Sequence, residues 1–342
     1  MRMQWLDLFR GVAALMVVFY HFHAAFGLPR LDAGFLAVDL FFVLSGIVLG
    51  LRYTPKIEAG MSFGQFAYHR LRRLYPMAVI VTLLVLVMNA IGAPAGQFAY
   101  SSPAGWINTL TLFPMPARFG YHEAFPPDAP MYTLWAELAA NAVWFGALRL
   151  GRRATAALFA LSALGFAALA IHYGSFGIGW WPGSAALGIV LVRALAWFGV
   201  GFYIAVWRVK LALPRLPLLV ALVALCAVFR YGGRGEVLLS LAIVATGIAL
   251  LVSLMTSEPS NPTLARVCRW VGQLSYPLYL IHVPSDRIAL WLVGMGMPSA
   301  VTHVLVIGVA GIAAAAASEF VVRRLPQNIG LGQAGAAARP GA

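Results

Sequence analysis

An arginine and a histidine share one face of the first hydrophobic segment of this chain. Arg10 and His21 are eleven residues apart, which on a helix is three turns plus about 20°, so the two lie on one face, ~16 Å apart along the axis. Ionisable groups at membrane depth are costly and usually face a bundle interior or a wet cavity. The pair therefore indicates a polar pathway along this helix. The plainer alternative is that Arg10 reaches the lipid headgroups and His21 is a satisfied core histidine.

The composition predicts a polytopic membrane protein. Of the 342 residues, 61% are hydrophobic and 10% are charged, with a mean hydropathy of +0.84, whereas about a quarter of the residues are charged in a soluble domain. The net charge of +13 does not indicate nucleic-acid binding, because the basic residues stand in short clusters between hydrophobic segments, as the positive-inside rule expects. Cys226 and Cys268 form neither a disulfide framework nor a metal-binding spacing, so no metal is expected.

Windows of about 20 apolar residues predict an all-α protein with about ten transmembrane helices. The expected spans are residues 6–27, 34–51, 73–92, 131–150, 154–173, 186–207, 214–230, 235–254, 270–293 and 299–322. With the N-terminus inside, the inner segments carry 17 of the 24 Lys and Arg residues and the outer segments carry 4, which predicts that both termini are cytoplasmic. We expect one transmembrane domain over residues 1–325 and a disordered cytoplasmic tail over residues 326–342.

Three ionisable residues from three predicted helices share one level in the outer half of the membrane. Counting 1.5 Å per residue from the outer ends places His21, Asp39 and Glu137 within a few ångströms of each other in depth. A histidine with a carboxylate in hydrogen-bond reach is the usual arrangement for general-base catalysis. We expect Asp39 to be the direct partner of His21, because a short loop joins their helices. Alternatively, these acids merely neutralise one another or cap helix starts.

A basic cluster opens the third predicted helix on the inner side. Arg70 and Arg73 are separated by three residues and share a helix face, and Arg10 lies at a similar inner level. The planar fork of arginine suits phosphate recognition, and the amide dipoles of a helix N-terminus also favour an anion. The cluster indicates a site for a phosphorylated ligand. The alternative is an ordinary positive-inside cluster that touches anionic lipid.

Five motifs in order give the chain a resemblance to a known family. They are LDLFRGVAALMVVFYH (6–21), VDLFFVLSGIVL (38–49), RLRRLYP (70–76), YTLWAELAAN (132–141) and LSYPLYLIHVP (274–284). With them the chain resembles acyltransferase family 3, the integral-membrane acyltransferases that include enzymes O-acetylating bacterial polysaccharides and Nod factors. The family's basic residue and histidine correspond to Arg10 and His21, its RxxR motif to Arg70 and Arg73, and its fourth-helix glutamate to Glu137.

The resemblance implies a membrane-bound O-acyltransferase of the bacterial inner membrane. Its co-substrate would be a cytoplasmic acyl-CoA, with acetyl-CoA expected, and no cofactor would stay bound. The acceptor would be a hydroxyl of a glycan or glycolipid at the outer half of the membrane. In this scheme the three arginines hold the donor's phosphates, and His21 acts as general base or transient acyl carrier. Asp39 or Glu137 would orient the histidine.

The resemblance also suggests further contacts in the site. Ser45 and Tyr75 would polarise the carbonyl oxygen. His282 and Asp286 would contact the acceptor or simply pair with Arg287, and we favour the pairing with Arg287. A rival function is that of a polytopic transporter or flippase for a lipid-linked or acidic substrate. The sequence does not set the oligomeric state.

Overall fold

The computed structural model describes residues 4–27, 30–90, 103–114, 124–125, 128–179, 184–233, 235–259 and 261–327. All regular structure in these ranges is helical, which confirms the predicted all-α class. A 3₁₀ turn over Asp32–Leu36 leads into the second helix, and a π-helical turn over Leu49–Tyr53 follows it. Most of the tail that we expected to be disordered lies outside the described residues.

Twelve α-helices follow each other along the described part of the chain. They are α1 Gln4–Phe22, α2 Ala37–Val48, α3 Thr54–Glu58, α4 Phe63–Ala90, α5 Pro103–Thr111, α6 Met131–Leu150, α7 Arg152–Tyr173, α8 Ser184–Val206, α9 Arg215–Val228, α10 Glu236–Leu254, α11 Pro262–Gly294 and α12 Ser299–Arg324. Each of the ten predicted spans overlaps one of them. Seven helical segments, including the continuous run through α2, are long and apolar enough to cross a membrane, whereas α9 is shorter and α6 and α11 are more polar.

Two helix ends differ from the predicted ones in ways that move site residues. Helix α1 ends at Phe22, so His21 lies in its last turn and not several residues below the end. Helix α4 begins at Phe63, ten residues before the predicted span. Arg70 is therefore about 10 Å inside the helix, and the expected contribution of a helix N-terminus to an anion site was wrong. The hydropathy window detects only the apolar part of a helix, so it missed the amphipathic first turns.

The helices pack closely where glycine allows it. Helix α1 packs against α11, α11 against α12, and α8 lies between α2 and α7. At the α2–α8 contact, a Cβ on Gly46 would overlap the carbonyl of Phe198, and one on Gly201 would overlap the carbonyl of Val43. Small residues let helix backbones approach in a membrane, where packing replaces the hydrophobic drive. The sequence thus fixes α2 firmly on α8.

Candidate active site

A large cavity opens between the helices at the end of the bundle that holds the start of α1. Its volume is about 1210 Å³, and its walls come from α1, α2, α4, α6, α11 and α12, with the end of α10 at its rim. One part of the wall is apolar and the other is charged. The charged lining residues are Asp7, Arg10, Arg52, Arg70, Arg73, Glu137, Glu258 and Glu319. The three arginines singled out in the sequence therefore line one cavity.

Arg70, Glu137 and Ser45 form a bonded group in the wall of this cavity. Arg70 Nη2 donates to Glu137 Oε1 at 2.7 Å, and Ser45 Oγ donates to the same oxygen at 2.8 Å. The Arg70 side chain is only 5% exposed, and Tyr53 stacks under its guanidinium. Glu137 therefore lies at the level of Ser45, which is six residues and about 9 Å further along α2 than Asp39, so the prediction that Glu137 shares one level with His21 and Asp39 was wrong.

Three further arginines line the same cavity. Arg73 is exposed to the cavity, and the charges of Arg10 and Arg70 act on it at close range, opposed by Glu137. Arg52 also lines the cavity, from the π-helical turn. Like charges gathered in a partly dry site repel each other, and a bound anion relieves that repulsion. The arrangement favours a phosphorylated ligand.

Asp39 bonds an arginine and not His21. Arg193 Nε donates to Asp39 Oδ1 at 2.6 Å, and Arg193 Nη2 donates to Oδ2 at 2.8 Å. Both residues are buried, at 0% and 3% exposure. The predicted His21–Asp39 hydrogen bond was wrong. An arginine in the middle of an apolar span needs such a partner, which was the signal available in the sequence for Arg193.

His21 stands at the far end of α1 from the arginines, next to a second histidine. Its Nδ1 lies 2.9 Å from the carbonyl oxygen of Val17, a contact that places the ring proton on Nδ1 and leaves Nε2 as the basic nitrogen. The side chain is exposed. Its ring centre is 5.1 Å from that of His282. No carboxylate bonds His21 in the described part of the chain.

His282 is fully buried and links the histidine pair to the cavity wall. Its Nδ1 lies 2.5 Å from the carbonyl oxygen of Tyr279, and its Nε2 has no hydrogen-bond partner among the residues that the structure describes. The rings of His282 and Tyr279 are 5.8 Å apart, and Tyr279 lines the cavity while His282 does not. Asp286 makes an ion pair with His303 of α12, at 3.1 Å, and the favoured pairing with Arg287 stays a prediction.

Of the two residues expected to polarise the carbonyl oxygen, one lies at the cavity and the other does not. Ser45 lines the cavity, but its hydroxyl is bound to Glu137. Tyr75 is outside the cavity wall and donates to the carbonyl oxygen of Leu110 at 2.6 Å, so it ties α4 to α5. Within the described ranges, no group of three or more His, Cys, Asp or Glu is arranged to hold a metal ion.

These features define a helical membrane protein with an arginine-lined cavity at one end and a histidine pair toward the other. The chain belongs to acyltransferase family 3: the family model, described as an acyltransferase domain, matches residues 3–319. This confirms the resemblance drawn from the five motifs. It gives no support to a transporter.

Curated relatives agree with this assignment. Protein 2 in the picA locus of Rhizobium radiobacter is 34% identical over 166 residues, 44% of this chain and 83% of the relative. The putative peptidoglycan O-acetyltransferase YrhL of Bacillus subtilis is 26% identical over 82% of this chain, which spans 48% of that protein. The peptidoglycan O-acetyltransferase OatA of Listeria monocytogenes is 28% identical over 38% of this chain, which spans 21% of that protein. No solved structure matches the chain.

Proposed function

We propose that this acyltransferase moves an acyl group, most simply acetyl, from cytoplasmic acyl-CoA to a hydroxyl of a glycan or glycolipid at the bacterial inner membrane. The observation that carries the proposal is the gathering of Arg10, Arg52 and Arg73 on one wall of a cavity of about 1210 Å³. That volume exceeds the 300–1,000 Å³ common for small-ligand pockets and suits a long, phosphorylated donor. The relatives named as peptidoglycan O-acetyltransferases support an acetyl group and a glycan acceptor.

The arginines at the donor end of the cavity have two different roles. Arg70 is held by Glu137 and stacked on Tyr53, so it acts as a fixed charge in the wall. Arg73 and Arg52 are exposed and bind the donor's phosphates directly, with their planar forks suited to phosphate oxygens. The excess of Lys and Arg in the inner segments supports placing this end of the bundle in the cytoplasm, where CoA is found.

His21 serves as the general base at the acceptor end. The acceptor hydroxyl gives its proton to His21 Nε2, and its oxygen bonds to the thioester carbonyl carbon. The C–S bond then breaks, and the sulfur of CoA takes up a proton. The Val17 carbonyl replaces the usual carboxylate in holding the ring's tautomer. Transfer connects the two ends of α1, which explains why the basic residue and the histidine share one helix face.

Donor binding by the purified full chain tests this proposal. We expect CoA to bind, and Arg73→Ala or Arg10→Ala to weaken binding at least tenfold, with Lys restoring it only in part because its ammonium lacks the fork. Arg72→Ala is the matched control, because Arg72 lies outside the cavity wall and bonds the carbonyl oxygen of Val322. Unchanged CoA affinity in an Arg10→Ala/Arg73→Ala protein would reduce the cluster to a topology signal. Transfer of label from radioactive acetyl-CoA to membrane glycans then tests the reaction itself.

A further inference from the structure

Tyr279 lies between the arginine-lined cavity and the histidine pair. Tyr279 lines the cavity with its side chain, and its ring lies 5.8 Å from that of His282 on the other side. His282 in turn contacts His21, and neither histidine lines the cavity. The path from donor phosphates to the proposed base therefore passes Tyr279.

Two neighbours fix the Tyr279 side chain in this position. Its hydroxyl shares a hydrogen bond with Thr133 Oγ1 at 2.9 Å, and its ring packs edge-on against Phe41, with ring centres 5.6 Å apart. Thr133 and Phe41 also line the cavity. Tyr279 and Thr133 are only 8% and 7% exposed. A buried ring held both by a hydrogen bond and by aromatic packing resists displacement.

We propose that Tyr279, held by Thr133 and Phe41, is the end wall of the acyl pocket and restricts the donor to short acyl groups. This inference rests on the proposed acyl-CoA donor. The wall around it is apolar, with Val38, Leu134 and Leu280 lining the same cavity. A donor whose phosphates are held by the arginines extends its thioester toward this wall. An acetyl group fits in front of the ring with its carbonyl carbon at the ring edge, where the acceptor hydroxyl and His21 approach it from the other side, whereas a longer chain meets the ring.

Competition binding with a series of acyl-CoA donors tests the wall. For the wild-type chain, acetyl-CoA should displace labelled CoA as well as CoA itself does, and butyryl-CoA should be at least tenfold weaker than acetyl-CoA. In Tyr279→Ala the butyryl penalty should disappear and the affinity for butyryl-CoA should rise about tenfold, because each newly buried methylene is worth about fourfold. The affinity for CoA itself should stay within about twofold.

Matched variants distinguish the loss of an end wall from a general loosening of the protein around the cavity. Tyr276 lines the same cavity three residues earlier on α11 and bonds the carbonyl oxygen of Leu74, so Tyr276→Ala removes an equal volume away from the proposed end wall. It should keep the butyryl penalty. Tyr279→Phe keeps the ring and should also keep most of the penalty. Tyr279→Leu, which suits a helix, serves as the shortened variant if the alanine protein does not fold.

The outcomes distinguish this inference from the proposed function. If CoA binds through the arginines but the chain-length profile of Tyr279→Ala and Tyr279→Leu equals that of the wild type, the wall is refuted and the donor site stands. An equal gain in Tyr276→Ala also refutes it. If neither CoA nor acetyl-CoA binds the wild-type chain, the proposed donor is wrong and the inference falls with it.

Discussion

His21 is oriented by a backbone carbonyl of its own helix. A carboxylate partner usually holds a catalytic histidine and stabilises its protonated form. Here the Val17 carbonyl fixes the ring, and His282 lies against it. The last turn of α1 thus determines which ring nitrogen of His21 is basic. The sequence alone could predict that His21 shares a helix face with Arg10.

Replacing His21 by alanine should abolish acyl transfer while the protein stays folded. The expected loss is ~10²–10⁴-fold, the usual effect of removing a general base. His23→Ala is the control, because the His23 ring faces the Tyr20 carbonyl oxygen, at 3.4 Å, and this variant should keep near-normal activity. Label transferred from acetyl-CoA to membrane glycans measures both. Near-normal turnover in a folded His21→Ala protein would remove this residue from the mechanism.

The α2–α8 contact is the element that holds the site's frame. It combines glycines at the closest approach of the two backbones with the buried Asp39–Arg193 pair. Helix α2 also carries Ser45 and Phe41 into the cavity. Disturbing this contact should therefore change both stability and the shape of the acyl pocket.

Two glycines of α8 should respond differently to alanine. A Cβ on Gly201 would overlap the backbone of Val43, whereas one on Gly188 would meet nothing within 4 Å. Gly201→Ala should lower the free energy of unfolding by about 1–3 kcal/mol or more. The backbone carbonyl of Val43 cannot rotate away from the added methyl group as a side chain could. Gly188→Ala should be neutral or stabilise slightly. Thermal unfolding in detergent compares them, and equal unfolding midpoints would contradict the packing described.

Breaking the Asp39–Arg193 pair should destabilise the protein strongly. Asp39→Asn leaves a buried guanidinium without its counter-charge, at a cost of about 3–5 kcal/mol. The double variant Asp39→Leu/Arg193→Met removes both charges and should recover most of that loss. Asp32→Asn is the control, because its partner Arg30 is 50% exposed and such pairs contribute about 0–1 kcal/mol. Unfolding midpoints compare the stability of these variants. A small loss of stability in Asp39→Asn would mean that water reaches the buried pair.

At the scale of the whole molecule, the site depends on which end of the bundle faces the cytoplasm. The cavity opens beside the start of α1, the start of α4 and the end of α12. The excess of basic residues predicts that these ends are inside. The proposed donor requires the same orientation, so a topology measurement tests the function as well.

Cysteine labelling in intact cells should reveal that orientation. Both native cysteines are buried, and replacing them in a Cys226→Ala/Cys268→Ala protein leaves no native thiol that could react with the label. Ala59→Cys, after α3, should react with a membrane-impermeant maleimide only in permeabilised cells. Met297→Cys, between α11 and α12, should react in intact cells, because this methionine is 47% exposed and lies in a loop at the opposite end of the bundle. The reverse pattern would put the arginine cavity outside the cell.

The sequence predicted the helices and the cavity's arginines better than the polar pairings. Hydropathy and helical periodicity act locally, so the spans and the shared face of Arg10 and His21 could be read directly. The partner of Asp39 is 154 residues away along the chain, and no local pattern specifies it. The ends of α6 were predicted correctly, but Glu137 bonds Ser45 and Arg70, which are 92 and 67 residues away along the chain, so these contacts were missed as well.

The buried Asp39–Arg193 pair also constrains how the protein is made. Helix α2 leaves the ribosome long before α8, so Asp39 must enter the membrane without its counter-charge and wait through the synthesis of more than a hundred residues. An acid in a span costs about 2.5–3.5 kcal/mol on insertion scales, which the apolar remainder of α2 offsets. When α8 is inserted, Arg193 can pair with the carboxylate of Asp39, which is already in the membrane. The formation of this pair then selects α2 as the neighbour of α8 while the rest of the chain is still being made.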